Sequence, residues 1–269
     1  MEKNQAGSLI TKRAEYDRCN ICGKMEKLTD DHVPPKFWHN SSIKRYSQGL
    51  GTYNPEGTQN QFPWKARQGI TFKSLCSDCN NRILGSETDR SLQQLCESVK
   101  KNMRVGSKHF NCRIKPNRVA QAVAGHMLAA KDYYDDECSI DTELRKYVLN
   151  PSQMPPENMS LCYFLYPHNC IVIGRDFVVG KAINMNESYR LPEGTISCIY
   201  SYPMGFLLLS DKQKLKLPDL FYYASGDIDE ERDILCSRDS QFYPHTQRLR
   251  HPLWPIKRME LCLCLLENP

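Results

Sequence analysis

Two pairs of cysteines, Cys19 with Cys22 and Cys76 with Cys79, carry the spacing at which one tight turn presents two sulfurs to a single ion. Four thiolates suit tetrahedral zinc, so the pairs read as one structural Zn2+ site. Between them runs Asp30-Asp31-His32-Val33-Pro34-Pro35-Lys36, and Asn80 and Asn81 follow the second pair at once, with Gly85 soon after. Imidazole, carboxylate and amide groups are donors for acid–base chemistry and for hard, oxygen-ligated cations.

Asp31-His32 after one C-x-x-C, then C-x-x-C-Asn with a trailing glycine, resembles the HNH endonucleases, whose ββα-metal site is often held by a zinc knuckle of this kind. The resemblance covers about residues 17 to 95 and involves nothing beyond residue 116. It implies that His32 is a general base and that Asp31 and Asn80 are oxygen ligands of a catalytic Mg2+ or Mn2+ ion. Cys19, Cys22, Cys76 and Cys79 would then hold a closed, structural Zn2+. Phosphodiester hydrolysis needs an activated water, neutralised phosphoryl oxygens and a stabilised 3′ leaving oxygen, all of which a histidine and one divalent ion supply.

One position departs from the family. A middle asparagine usually precedes the second cysteine pair and orients the base, yet Thr71 to Leu75 contains none. Asn54 or Asn60 could take the part, or the orienting bond is made differently. Asn81 is an alternative to Asn80, and Asp30 to Asp31, although neighbours on an extended segment point to opposite faces. Asp89 is a further acidic candidate whose placement three residues after Ser86 already suits a helix-capping box.

These groups need elements to hold them. Lys24 to His32 reads as a short strand entered through a turn at Gly23, with Pro34 and Pro35 extending the backbone beyond it. Ile70 to Leu75 alternates as a strand that delivers Cys76, and the chain from Asn80 reads as helix, with Leu92, Leu95, Cys96 and Val99 on one face. Residues 39–69 read as a long inserted loop in which Tyr46, Tyr53, Phe62 and Trp64 interleave with Lys44, Arg45, Lys65 and Arg67, a pattern suited to a nucleic-acid strand or to self-anchoring.

Farther along, Arg118 to Tyr134 reads as an amphipathic helix, with His126 a hydrogen-bonded core residue, and the acidic stretch Asp132 to Glu137 as a solvated turn. Beyond Met159 come the strand-like runs 161–166, 170–173, 177–183, 196–202, 206–209 and 261–266.

The chain has 269 residues and a net charge of +5. Residues 1–116 hold 20 Lys plus Arg against 11 Asp plus Glu, or +9, and residues 117–269 hold 16 against 20, or −4. A basic face beside the metal segment suits a phosphate backbone. No apolar run is long enough to cross a bilayer and the first residues lack a secretory apolar core, so a cytoplasmic protein without membrane contact is expected. The cysteine count is odd, 13, and the nine outside the two pairs are scattered, as small buried hydrophobes are.

The expected fold is α+β: a zinc-stapled ββα-metal module over residues 1–116, then an α/β accessory region over 117–269 with helices and a β-rich end. The expected function is a metal-dependent endonuclease cutting DNA, with RNA left open as substrate, in a setting such as phage defence or a mobile element. A regulatory protein partner or a homo-oligomer is the expected restraint on cleavage. The competing readings are a non-catalytic zinc-stapled nucleic-acid-binding module and an interaction protein whose β-rich region carries the function.

Overall fold

A computed structural model describes residues 13–41, 44–48, 64–66, 68–150, 152–167, 170–179, 194–210, 217–238 and 262–267. Among them, three antiparallel sheets surround a central helix. The first sheet has the order β1-β2-β5 and comprises β1 (Tyr16–Arg18), β2 (Met25–His32) and β5 (Thr71–Cys76). His32 closes β2, as the sequence leads one to expect, and Gly23 turns into it with φ 70°.

A bulge shifts the β2–β5 register, with Thr29 opposite Leu75 but Asp30 opposite Lys73. Ser74 is the extra residue, and its hydroxyl donates to the Ala129 carbonyl at 2.7 Å. A bulge of this kind bends and twists the strand, re-aiming Asp30 to His32 relative to Cys76.

Beyond Cys76 the chain makes a π-helical segment, Cys79–Leu84, and then α1 (Glu87–Arg104), which buries Leu92, Leu95, Cys96 and Val99. Strand, knuckle and helix therefore follow the histidine segment in the expected order. The expected capping box is not made: Ser86 precedes α1 without a side-chain cap bond, and Asp89 turns elsewhere. Residues 39–69 are also not one loop, because β3 (Lys44–Gln48) and β4 (Trp64–Ala66) lie within them. Asn54, Asn60, Tyr53, Phe62 and Arg67 lie outside the described residues.

The strands β3 and β4 join a seven-stranded sheet of order β4-β3-β12-β8-β9-β10-β7, built with β7 (Ser160–Leu165), β8 (Cys170–Val179), β9 (Gly194–Ser201), β10 (Met204–Leu209) and β12 (Cys262–Glu267). The runs 170–173 and 177–183, read as two strands, meet in a single β8 as far as Val179, and residues 180–183 lie outside the described residues. The register of β8 slips between Gly174 and Phe177, so Arg175 and Asp176 break the alternation. A third, two-stranded sheet pairs β11 (Arg232–Ser237) with β6 (His109–Ile114).

At the centre lies α2 (Pro116–Ala129), with proline at its first turn where the missing N–H costs nothing. It is shorter than the expected 118–134 helix and is not amphipathic: every residue but Arg118 is buried. Ala120, Ala122, Ala124, Gly125 and Ala129 keep its surface small, so α1, α3 (Ser139–Leu149), α4 (Leu220–Tyr223), β5 and β9 all pack on it. An ideal Cβ at Gly125 would stand 2.3 Å from Leu84 Cδ2, so glycine there lets α2 approach the π-helical segment closely.

The expected boundary at 116/117 falls between β6 and α2. One continuous apolar core runs across it, from Cys19, Phe72 and Leu95 through Val123 to Tyr163 and Phe206. Trp38, fully buried, reaches from the segment after His32 into the large sheet, where its indole N–H donates to the Ser201 carbonyl at 2.8 Å and its ring meets Phe206 edge-on. Among the described residues no helix is long and apolar enough to cross a membrane.

Candidate metal centre and active site

The four cysteines of the two pairs converge. Their sulfurs all lie within 4.8 Å of one another, and Cys22 Sγ and Cys76 Sγ are 3.8 Å apart. Zinc–sulfur bonds of about 2.3 Å in a tetrahedron place sulfurs about 3.8 Å apart, so the cluster could hold a metal ion such as zinc. The first turn is set by backbone bonds: Gly23 N donates to the Cys19 carbonyl at 2.8 Å, and Asn20 N to the Ser74 carbonyl at 2.9 Å, which ties this turn to β5.

The thiols oppose one another electrically. Sharing a hydrogen bond with Cys79 draws Cys19 down to about 5, and the same contact pushes Cys79 up. Burial raises Cys22 to about 11. Close thiols opposed in this way ionise together only around a cation, which is the condition a thiolate metal site meets.

A second group, Asp135, Cys138 and Asp141, also brings donor atoms within 4.8 Å. There Lys131 Nζ lies 3.5 Å from Asp135 and 2.6 Å from Asp141, so a lysine already supplies the positive charge.

His32 is half-buried at the end of β2, and its Nε2 lies 3.0 Å from the Gln68 carbonyl. A carbonyl only accepts, so Nε2 carries the proton in the neutral ring and Nδ1 keeps the basic lone pair. Burial lowers the His32 pKa, favouring that neutral form. The Gln68 backbone thus fixes the orientation of the His32 ring.

The Gln68 loop is itself fixed by Asn40, fully buried, whose Nδ2 donates to the Pro34 and Ile70 carbonyls at 2.6 and 3.0 Å and whose Oδ1 accepts from Ile70 N at 2.8 Å. Losing three buried bonds and leaving their partners dry costs about 1–3 kcal/mol per unsatisfied group. Asn40→Ala is expected to lower stability in urea by about 3 kcal/mol; a change below about 1 kcal/mol would mean that water takes its place.

Asn80 donates from Nδ2 to Thr29 Oγ1 at 3.0 Å and to the Asp30 carbonyl at 3.4 Å. Asn80 is thus tied to the middle of β2, next to the residues that lead into Asp31 and His32. Asn81 instead turns back to Ser77. Of the alternatives weighed from sequence, Asn80 meets β2 at Thr29 and Asp30 while Asn81 does not, and Asp31 is the buried acid while Asp30 is exposed.

Asp31 itself is only 6% exposed. Its Oδ2 lies 3.2 Å from Nδ1 of His126 on α2, and the opposite ring nitrogen lies 2.8 Å from Asp89 Oδ1 on α1. Burial alone would depress this imidazole, but the Asp89 and Asp31 carboxylates reverse the effect and hold it at about 10. His126 is thus a hydrogen-bonded core residue, as expected, while its partners could not be read from sequence. Nothing in the spacing of residues 31, 89 and 126 announces the set.

No family model, curated protein or solved structure matches this chain. Its chemistry therefore rests on the arrangement of these residues alone.

Proposed function

We propose that the chain is a metal-dependent, HNH-type endonuclease that hydrolyses phosphodiester bonds in DNA. The observation that carries this reading is the placement of His32: it ends β2 with Nε2 committed to the Gln68 carbonyl and Nδ1 basic. In this reading His32 takes the proton from the attacking water. Cys19, Cys22, Cys76 and Cys79 hold Zn2+ and fix the two strands and the helix start on which the site stands.

Asp31 on β2 and Asn80, bonded to β2 at Thr29, offer the oxygen donors that Mg2+ or Mn2+ prefers. Such an ion, once bound, neutralises charge on the phosphoryl and leaving oxygens. The +9 charge of residues 1–116 suits a polyanionic substrate. Residues 117–269 serve as an accessory region that also braces the site, because α2 belongs to them.

Plasmid cleavage with Mg2+ or Mn2+ tests the reading. Wild type is expected to nick or linearise DNA, and His32→Ala to be slower by about 100-fold or more while retaining its zinc, the range for loss of a general base. Equal cleavage by both proteins overturns the role of His32.

One observation favours a second reading, a zinc-stapled nucleic-acid-binding module without catalysis: Asp31 is buried and already hydrogen-bonded to His126. Under that reading neither protein cuts, and both bind DNA with an affinity that falls steeply with salt.

A further inference from the structure

We propose that Asp89, His126 and Asp31 form a positioning relay in which α1 and α2 fix the rotamer of the Asp31 carboxylate for the catalytic ion; this rests on the nuclease reading above. The geometry is specific. The imidazole is 1% exposed and is spanned between two carboxylates, with Nδ1 at 3.2 Å from Asp31 Oδ2 and Nε2 at 2.8 Å from Asp89 Oδ1. Asp31 and Asp89 lie on opposite sides of the ring, so the three groups do not share one ion. They act in series, each fixing the next.

Three features indicate that the relay serves Asp31 rather than merely filling the core. Asp89 sits in the first turn of α1, where an acid would ordinarily cap the helix, yet it is turned to His126 and Ser86 makes no cap bond. His126 comes from a helix that is otherwise almost wholly apolar or small, and the residue before it, Gly125, is what allows α2 to close on Leu84. Of the neighbouring acids on β2, the ring meets the buried Asp31, next to His32, while Asp30 is left exposed. A buried charged set is weak evidence for stability, since apolar replacements often do as well. Its attachment to this particular carboxylate is what a metal ligand requires, because hydrogen-bonded outer partners orient ligands and strengthen ion binding.

The relay extends the site beyond the Cys19–Leu84 segment. It makes ion binding at Asp31 depend on a residue 95 positions away in sequence.

The test exploits the two ring nitrogens. An asparagine side chain places its N–H where Nδ1 was, and a glutamine where Nε2 was. His126→Asn therefore keeps the donor to Asp31, and His126→Gln keeps only the one to Asp89. Mn2+ binding to the full chain is measured by the spin-resonance signal of free Mn2+, alongside zinc content and melting temperature. His126→Gln is expected to weaken Mn2+ binding about 10- to 100-fold, and His126→Asn clearly less, with zinc unchanged in both.

Asp89→Ala, at a partly exposed position, serves if the histidine variants fail to fold, and is expected to weaken Mn2+ binding about tenfold. Asp31→Asn is the control. If it binds Mn2+ as wild type does, the ion does not use Asp31, and both the ion site of the nuclease reading and the relay fall. If Asp31→Asn loses the ion while His126→Gln or Asp89→Ala binds it as wild type, the nuclease reading stands and the relay is overturned. Equal weakening by His126→Gln and His126→Asn, tracking their loss of melting temperature, assigns the residues to packing alone.

Discussion

Cys76→Ser is expected to release the ion held by the four-cysteine cluster and to unfold the β1-β2-β5 sheet, the largest effect of any single change in this chain. Structural zinc contributes about 10–16 kcal/mol in small domains at neutral pH, which matches or exceeds the roughly 5–15 kcal/mol by which a whole protein is stable. Here the loss cannot stay local. Cys19, Cys76 and Cys79 belong to the same apolar core as Phe72, Leu84 and Val123, and Asn20 of the first turn donates to the Leu128 and Lys131 carbonyls at 3.0 and 3.1 Å. Without a cation, burial opposes ionisation of Cys22, and the hydrogen bond shared with Cys19 opposes that of Cys79, so metal-free protein keeps protons on these two sulfurs. Elemental analysis of wild type should return one zinc per chain, and Cys76→Ser should return none, with loss of the cooperative thermal transition. Metal-free wild type that melts as sharply as metal-loaded protein would show the cluster to be four ordinary thiols.

Asp141→Ala is expected to cost about 3–5 kcal/mol, the range for removing one partner from a buried charged set. Asp141 is fully buried, 2.6 Å from Lys131 Nζ and 2.6 Å from Arg175 Nη2, with Arg145 at 3.8 Å. Arg175 also donates to the Met127 carbonyl, and Asp176 lies 2.5 Å from Lys131. Removing Asp141 leaves three cations facing Asp176 and Asp135, with one charge uncompensated in a dry interior. Denaturant unfolding measures the cost, and a loss below about 1 kcal/mol would mean that water reaches the cluster.

The same cluster gives the pH dependence its sign. Burial by itself would raise Asp176, but Arg175 and Lys131 hold it below the ordinary carboxylate value. Its contribution is therefore complete above the unfolded value of about 3.9 and is lost as pH falls through the lower folded value. Lys131 is opposed by burial and by Arg175, yet Asp141 and Asp176 raise it, so its contribution is complete below about 10.4 and is lost as pH rises beyond that. Between these limits the contribution of Asp176 and Lys131 is flat.

Legibility in the sequence followed the range of the interaction that decides each feature. The C-x-x-C pairs were legible because the spacing of two ligands on one turn is a local property, and four sulfurs leave a metal little choice of geometry. The strand ending at His32, the strand entering Cys76 and the apolar face of α1 were legible because alternation and helical spacing are written in consecutive residues. Residues 39–69 misled because polar, aromatic and basic residues suit a solvated loop equally well, and pairing of β3 with β12 is decided by a strand about two hundred positions away. The helix read over 118–134 stops at Ala129 because Lys131 leaves to meet Asp141 and Asp176, a tertiary demand that outweighs propensity.

The site divides in the same way. Sequence alone named the candidate donors His32, Asp31, Asn80 and the four cysteines, since side-chain chemistry is fixed by residue type, and the structure brings the four cysteines together. Only the tertiary structure decided that a backbone carbonyl at Gln68 orients His32, because carbonyls are present at every residue and leave no mark in the sequence. Only packing decided that Asp89 abandons its helix cap for His126, and that His126 meets Asp31. Those contacts form where α1, α2 and β2 are pressed together by the burial of their apolar neighbours, a force without direction whose partners appear only once the whole core has closed.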